Sequence, residues 1–235
     1  MDTSFYTAAQ GARARQTQMN VIANNIANVN TDGYRAQEVV FSDLMYYNMH
    51  PQGQENWRAG AGSVIERTSS SHQQGNIVET GEQKNFAIAG SGYFMLLDPS
   101  TNEVTYTRDG VFEASKQSNG EFYLVSNTGK YVLGRDQKPI VVKDGAVDKK
   151  TVGVFDFQIT TGMLFKGENE MQATPINGDP YLVENPDIRQ GCAESSNVDI
   201  GEQMSKVIES SRSYSYVLKM LQTSDEIEQA INGLR

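Results

Sequence analysis

Residues 194–235, ESSNVDIGEQMSKVIESSRSYSYVLKMLQTSDEIEQAINGLR, carry an apolar stripe through a long polar segment. Successive apolar positions alternate steps of three and four residues, which is the spacing of one helix face or of a coiled-coil seam. The stripe begins with Ile200, Met204, Val207, Ser211, Tyr214, Leu218 and Leu221, drifts near Ser224, and continues with Ile227, Ile231 and Leu234. Ser195, Ser196 and Asn197 precede it, and such residues cap helix N-termini. We therefore expect one long amphipathic helix here.

A second helix is expected near the other end of the sequence, over residues 3–30. Its stripe is formed by Phe5, Ala8 or Ala9, Ala12, Met19, Ile22, Ile26 and Val29, with Arg15 as an interruption. Asp32 and Gly33 follow as a stop signal, because glycine takes the left-handed conformation that ends many helices. Isolated helices are marginal in water, so we expect the two ends to pair as a coiled-coil terminal domain.

The buried face of an ordinary globular helix also produces such a stripe. Pairing the two ends covers only one face of each helix, however. Our hypothesis is that both helices are loose in the monomer and become ordered when neighbouring subunits surround them. Asn24, Asn25, Asn28 and Asn30 crowd the end of the first helix, although asparagine is a poor helix former. Either they mark a solvated helix end, or they form hydrogen bonds to adjacent subunits.

Between the ends, short β-rich runs alternate with turn signals, which is the pattern of antiparallel hairpins. The runs cover residues 86–89, 93–97, 104–107, 122–125, 131–133, 140–142 and 152–159. No alternation of strands and helices is visible, which disfavours a nucleotide-binding sheet. We predict an α+β protein with a β-rich middle domain of mainly antiparallel strands. Its parts are a discontinuous helical assembly domain at 1–33 and 196–235, an extended arm at 34–62 and the middle domain at 63–195.

The stretch TYTRDGVF contains a turn signal at Arg108, Asp109 and Gly110. The Asp109 carboxylate is expected to accept backbone N–H bonds, and Gly110 is expected to take a positive φ. These three residues and Gly33 are therefore assigned structural roles in turns.

Composition argues against several classes of partner. The formal net charge is -9 and the isoelectric point is about 4.8. Phosphate binding needs clustered lysine and arginine, and the sequence shows no basic patch with interleaved aromatic residues. Nucleic acid and anionic membrane are therefore not expected as main partners.

Catalytic and metal chemistry also have little support in the sequence. Cys192 is the only cysteine, and His50 and His72 are the only histidines, so no spacing resembles a zinc site. A nucleophilic pair of Cys192 with either histidine is less favoured than a buried structural thiol. Ser91 lies between two glycines without the flanking pattern of a nucleophile elbow. We expect no enzymatic activity, cofactor, metal site or small-molecule substrate.

Three long segments resemble one protein family. QMNVIANNIANVNTDGYRAQEVVFSDL, residues 18–44, is similar to the N-terminal signature of bacterial flagellar rod and hook proteins. The segments 90–134 and 194–229 resemble the central β segment and the C-terminal helix of the same family. The sequence departs from the family pattern at residues 82–86 and is shorter after Gly134. Hook subunits carry large extra domains, so 235 residues suit a rod subunit of the proximal or distal type better.

The resemblance implies a structural subunit of the rod, the drive shaft between motor and hook, which self-assembles helically through its terminal helices. The implied partners are copies of the chain itself, neighbouring rod and hook proteins, and the flagellar type III export apparatus. The implied location is the basal body within the cell envelope and periplasm. Export without a cleaved signal peptide is expected, because the N-terminus lacks the charged and apolar regions of such a peptide.

On this basis we assign subunit assembly to a seam between the two helices and to asparagines that bridge subunits. The assigned residues are Met19, Ile22, Asn24, Asn25, Ile26, Asn28, Val29, Met204, Val207, Tyr214, Leu218 and Leu221. The alternative function is a secreted β-rich carbohydrate-binding or glycan-processing module. That alternative predicts a concentrated aromatic cleft, whereas the rod function does not.

Overall fold

The computed structural model describes residues 3–44, 47–49, 57–60, 62–71, 73–117, 120–143 and 145–234. They form two compact units. The first unit contains residues 1–27, 37–69 and 199–235, and the second contains 28–36 and 70–198. The expected three-part division into helical domain, arm and middle domain stays a prediction, and part of the expected arm lies outside the described residues.

The first unit is built on two helices, α1 (Thr3–Ala27) and α2 (Ile200–Gly233). It also contains strands β1 (Gln37–Asp43), β2 (Tyr47–Met49), β3 (Trp57–Ala59) and β4 (Ser63–Ser70), which pair as β1 with β4 and β2 with β3. The expected Ser195–Asn197 cap is wrong. Asp199 caps α2 instead, because its carboxylate accepts the backbone N–H groups of Gly201 and Glu202. Neither described helix is long and apolar enough to cross a membrane.

The second unit is β-rich. Its strands are β5 (Ile77–Glu79), β6 (Phe86–Ala89), β7 (Tyr93–Leu97), β8 (Val104–Thr107), β9 (Phe112–Lys116), β10 (Phe122–Ser126), β11 (Tyr131–Val132), β12 (Val141–Val142), β13 (Val154–Asp156), β14 (Leu164–Gly167), β15 (Glu170–Gln172), β16 (Tyr181–Leu182), β17 (Asp187–Gln190) and β18 (Cys192–Glu194).

Among the described residues, ten of these strands form one sheet with β7 near its centre. Its path runs β12-β10-β11-β7-β8-β15-β14, with β9 beside β10, β13 beside β7 and β16 beside β13. Two further pairs join β17 to β6 and β18 to β5, and these pairings are antiparallel. The predicted α+β fold with terminal helices and a mainly antiparallel β-rich middle is confirmed.

The core lies on both faces of strand β7, because successive side chains of a strand point to opposite sides. Phe94 and Leu96 belong to one buried cluster with Phe112 and Val154. Tyr93 and Met95 belong to the other, with Tyr106, Phe155 and Met171 among its members. A strand buried on both faces reads as a continuous apolar run, which is why YFMLL was recognisable in the sequence.

Strands β6, β7 and β8 confirm three of the expected runs. The 152–159 run was too long, since only residues 154–156 form a strand. Strand β9, with the sequence FEASK, was not expected because Phe112 is its one large apolar residue. Phe112 is also the one residue of the strand that is buried. The backbone of β9 pairs with β10 over five residues, so main-chain hydrogen bonds rather than apolar burial define it.

Candidate assembly surface

Helices α1 and α2 pack antiparallel in the first unit. The Asn25 amide donates a hydrogen bond to Gln203 Oε1 at 3.2 Å, and Ser210 Oγ lies 3.4 Å from the Arg15 carbonyl oxygen that accepts its proton. A β-carbon added to Gly11 would lie 4.0 Å from the Val217 methyl groups. Along these contacts the residue numbers increase on α2 while they decrease on α1, so the helices are antiparallel. Small and amide residues make these contacts.

Asn25 is a buried connector within the chain, and its expected role as a bridge between subunits stays a prediction. Its side chain is 1% exposed. The amide donates to the Gln37 carbonyl at 2.9 Å as well as to Gln203, and Asn25 Oδ1 accepts the Gln37 N–H at 2.8 Å. An unpaired buried amide is costly, so these bonds tie α1 to both α2 and β1.

The other assigned residues near the end of α1 differ in exposure. Ile22 is 4% exposed, and Met19 and Ile26 are half-buried. Asn24 is exposed. Asn28 and Val29 follow the helix in the second unit, where the Thr31 hydroxyl donates to Asn28 Oδ1 at 3.2 Å. That bond lies in the turn after α1, inside the chain.

On α2 the two buried residues were not assigned from the sequence, whereas three of the assigned residues are half-buried. Gln203 and Ser210 are the buried residues of the helix, and Val207, Tyr214 and Leu221 are half-buried. Met204 and Leu218 are 50% and 39% exposed, so the packing of α1 against α2 within the single chain does not bury them. Their part in contacts between subunits stays a prediction. The signal that was missed is the seven-residue spacing of Gln203 and Ser210, which continues to Val217.

A buried ionic cluster lies in the second unit and was not expected from the sequence. The Glu194 carboxylate lies 3.2 Å from Arg108 Nη1 and 3.6 Å from Arg35 Nη2, and each of these side chains is at most 5% exposed. The Gly75 N–H donates to the same carboxylate at 3.1 Å. Both guanidinium groups lie against the Tyr93 ring, 5.9 Å and 5.4 Å from its centre.

The cluster contains two guanidinium groups for one directly paired carboxylate. Burial lowers the pKa of Arg108, and the Arg35 charge adds to this effect while Glu194 opposes it. Arg108 also donates to the carbonyl oxygens of Ile88 and Gly90. Among the described residues, the Nε atoms of Arg35 and Arg108 have no hydrogen-bond partner. Glu194 is the carboxylate in direct contact with both cations, and the more distant charge of Asp156 opposes the lowering of the Arg108 pKa less strongly than Glu194 does.

Gly33 and the Arg108–Gly110 stretch lie against each other in this unit. Gly33 has a φ of +69°, and a β-carbon there would lie 2.3 Å from the Asp109 backbone nitrogen. Asp109 Oδ1 accepts the Val111 N–H at 2.9 Å. Gly110 does not take the positive φ that was expected. A glycine is required there because a β-carbon would lie 1.6 Å from the Phe86 carbonyl oxygen.

Asp109 is expected to make stability fall as pH rises through the weakly acidic range. Burial raises its pKa from 3.8 to about 6, the Val111 hydrogen bond opposes this, and the nearby Asp32 charge adds to it. Between these two values the folded chain binds more protons than the unfolded chain. The free energy of unfolding should therefore fall by about 2 kcal/mol between pH 4 and pH 6.

The variant Asp109→Asn tests this expectation, because asparagine keeps an oxygen that accepts the Val111 N–H. Urea unfolding at pH 4 should give equal stabilities for the variant and the parent chain. At pH 7 the variant should be the more stable protein. Parallel pH profiles for the two proteins would contradict the assignment.

Neither the Cys192 thiol nor the open hollow that Cys192 lines forms part of a recognisable catalytic arrangement among the described residues. Cys192 is 7% exposed, and its thiol lies 3.8 Å from the Gln190 carbonyl. His50 and His72 lie outside the described residues, and so does any pairing with them. An open hollow of about 660 Å³ is lined by Glu79, Gly81, Gln83, Ala146, Val147, Asp148, Gln190, Gly191 and Cys192. Its described lining contains no aromatic side chain of the kind that a sugar cleft uses.

Comparison with protein families gives three matches. The family profile described as "Flagella basal body rod protein" matches residues 5–35. That described as "Flagellar hook protein FlgE/F/G D1 domain" matches residues 87–160. That described as "Flagellar basal body rod FlgEFG protein C-terminal" matches residues 189–234. Arg35, Arg108 and Glu194 each come from a different one of these matches.

Similar proteins extend over nearly the whole chain. The chain is 31% identical to the flagellar basal-body rod protein FlgG of Buchnera aphidicola subsp. Acyrthosiphon pisum, with all of both chains covered. It is 31% identical to the protein of the same name from Agrobacterium fabrum, over 96% of each chain. It is 24% identical to the flagellar basal-body rod protein FlgF of Caulobacter vibrioides, over 98% of this chain and 96% of that relative.

Proposed function

This chain belongs to the family of flagellar basal-body rod proteins, and we propose from that premise that it assembles into the rod through the outer surface of α2. It is a structural subunit of the rod. Neighbouring copies of the chain, together with other rod and hook subunits, cover the apolar side chains of α2 that α1 leaves exposed.

The exposure of α2 carries this proposal. In 34 helical residues, its buried side chains are those of Gln203 and Ser210, which face α1. Large apolar side chains elsewhere on the helix, including Met204, Ile208 and Ile227, are at least half exposed. Exposed apolar side chains do not stabilise an isolated monomer in water. Contiguous exposed apolar residues mark interaction sites.

The location and delivery of the subunit follow from the same premise. It resides in the flagellar basal body, and we place it in the periplasmic part of the cell envelope. Delivery uses the flagellar export apparatus without a cleaved signal peptide. The helix pair is loose before assembly, because α2 has one covered face in the isolated chain.

The enzymatic and glycan-binding alternatives lack supporting geometry. A second hollow of about 750 Å³ is lined by Gly134, Arg135, Asp136, Lys138, Pro139, Ile140, Val141, Lys143, Ala146, Asp148, Lys150 and Thr151. Its described lining also offers no aromatic surface for a sugar ring. The rod relatives are structural proteins by name, and a non-enzymatic role agrees with them.

The variant Met204→Asp tests the assembly surface. A carboxylate buried in an apolar contact costs several kcal/mol, and about 1.4 kcal/mol corresponds to a tenfold change in an association constant. Rod formation in cells that depend on the variant should therefore fall at least tenfold, measured by electron microscopy of isolated basal bodies and by swimming.

The matched control is Ser205→Asp, which adds the same charge to the next exposed position of the helix. Its cells should swim. Both purified variants should keep the circular dichroism spectrum and melting temperature of the parent chain, since neither position is buried. Normal rods in the Met204→Asp strain would overturn the proposed surface.

A further inference from the structure

The exposed apolar residues of α2 form two separate stripes. The first stripe consists of Ile200, Met204, Ile208 and Leu218, whose exposed fractions range from 39% to 55%. The second stripe consists of Tyr216, Met220, Ile227, Ile231 and Leu234, whose exposed fractions range from 51% to 89%. On the side of α2 that carries the first stripe, the residues between its members are Ser211 and Ser215. On the side that carries the second stripe, Thr223 lies between the members. Neither stripe therefore contains a charge.

The two stripes lie on opposite sides of the seam with α1. At about 100° per residue, the first is centred roughly 100° to one side of the line through Gln203, Ser210 and Val217. The second is centred roughly 60° to the other side, with Ile231 on the continuation of that line. They also occupy different ends of the helix. Near the start of the helix, the side that carries the first stripe is apolar. The opposite side carries the exposed Glu202 and Glu209 at this end of the helix.

The far end of the helix has the opposite arrangement. The side of the second stripe is apolar there, and the side of the first stripe carries polar residues such as the exposed Gln222 and Glu226. The apolar surfaces of α2 are thus placed at diagonally opposite corners. A two-fold dimer needs one self-complementary patch, whereas an open polymer needs two different patches that fit each other.

We infer that the first stripe of one copy docks on the second stripe of the next copy, with the two α2 helices parallel and staggered. This inference rests on the proposed rod function and specifies the contact that builds it. The centres of the two stripes are about 18 residues apart, so the stagger along the helix axis is roughly 27 Å. Repeating one such heterologous contact generates a filament that does not close.

A membrane surface is a poorer occupant for these stripes. A helix that lies on a bilayer presents one apolar face, whereas these stripes face away from each other on either side of α1. Helix α2 also carries five acidic and three basic residues, so anionic lipid does not attract it. A second copy satisfies both stripes at once.

Site-specific crosslinking tests the contact in assembled rods. Ile208→Cys and Ile227→Cys are introduced into separate copies of the gene, both with Cys192→Ser, and expressed together in cells that lack the parent gene. After oxidation, disulfide-linked dimers should be at least tenfold more abundant in the mixed strain than in either single strain. A Ser205→Cys and Ile227→Cys mixture should give only the background of the single strains.

Each result has a separate meaning. Swimming shows that the rods are built, and so tests the proposed function. Crosslinks in the Ile208→Cys strain alone at the level of the mixed strain would mean a two-fold contact and would overturn the inference. Swimming cells without mixed crosslinks would also overturn it, while leaving the rod function intact.

A second measurement does not depend on swimming. The double variant Met204→Asp/Ile208→Asp keeps only the second stripe, and Ile227→Asp/Ile231→Asp keeps only the first. In sedimentation velocity each purified variant should remain monomeric, and their mixture should form dimers and stop there. Dimers of one variant alone, or a mixture that stays monomeric while the parent chain polymerises, would contradict the docking scheme.

Discussion

Replacement of Glu194 by glutamine is expected to lower the free energy of unfolding by about 3–5 kcal/mol, because it leaves the buried Arg35 and Arg108 without their shared counter-charge. The shape of the side chain is kept, and an oxygen that accepts the Gly75 N–H remains. The loss therefore comes from the charge. Both guanidinium groups are nearly inaccessible to water, so hydration cannot replace the carboxylate.

Urea unfolding followed by circular dichroism measures this change. The control is Glu103→Gln, which removes the carboxylate of a half-exposed ion pair with Lys166. Exposed pairs contribute about 1 kcal/mol or less, so the control should unfold nearly as the parent chain does. Similar losses for both variants would show that the buried cluster has no special role.

The second large effect is expected for Gly33→Ala. A β-carbon at this position would lie 2.3 Å from the Asp109 nitrogen and 2.7 Å from the Arg108 carbonyl carbon, and backbone atoms have no rotamer by which to move aside. A positive φ alone costs an alanine about 1–2 kcal/mol. We expect a total loss of at least about 3 kcal/mol, because residues 28–36 must also shift away from the Arg108–Asp109 backbone.

Gly129→Ala separates the two causes of this loss. Gly129 has a φ of +81°, but a β-carbon there meets no atom within 4 Å. Its alanine variant should therefore show only the conformational cost. Thermal and urea unfolding of the two variants in parallel measures the difference, and equal losses would mean that close approach at Gly33 contributes nothing.

These two predictions concern the same part of the second unit. The Gly33 N–H donates to the Glu194 carbonyl at 2.7 Å, while the Glu194 carboxylate holds Arg35 and Arg108. Three segments that are far apart in the sequence, and that match three separate family profiles, therefore meet at one buried residue. The buried cluster of the second unit therefore requires all three segments.

The predictable parts of this fold were those with strong local patterns. Strands β6, β7 and β8 were expected at their observed bounds, because they are apolar runs between turn residues. The long terminal helices were expected from their three- and four-residue spacing. Strand β9 and the short pairs of β5 with β18 and β6 with β17 were not, since their pairing with distant segments leaves little local signal.

The buried ionic cluster of Arg35, Arg108 and Glu194 could not be predicted from the sequence for a related reason. Arg35 and Glu194 are 159 residues apart, and the local sequence of either gives only a weak sign that its charge is buried. Their one local signal is the small or apolar neighbours on both sides, such as Tyr34 and Ala36 around Arg35. Burial of a charge depends on the partner that compensates it, and only the folded chain brings that partner close.

The sequence by itself determined that both ends are helices, that the middle is antiparallel β structure and that the chain belongs with flagellar rod subunits. Only the tertiary structure decided which side of α2 faces α1. A stripe at helical spacing fixes the direction of a face to within a residue or so. The apolar residues pointed to Met204, Val207, Tyr214, Leu218 and Leu221, and the structure leaves Met204 and Leu218 exposed. The hydrogen bond between Asn25 and Gln203, together with the small side chains at Gly11 and Ser210, turns a different line of residues toward α1. Close packing and amide pairing select that face, and the displaced apolar residues remain on the surface, where a neighbouring copy can bury them.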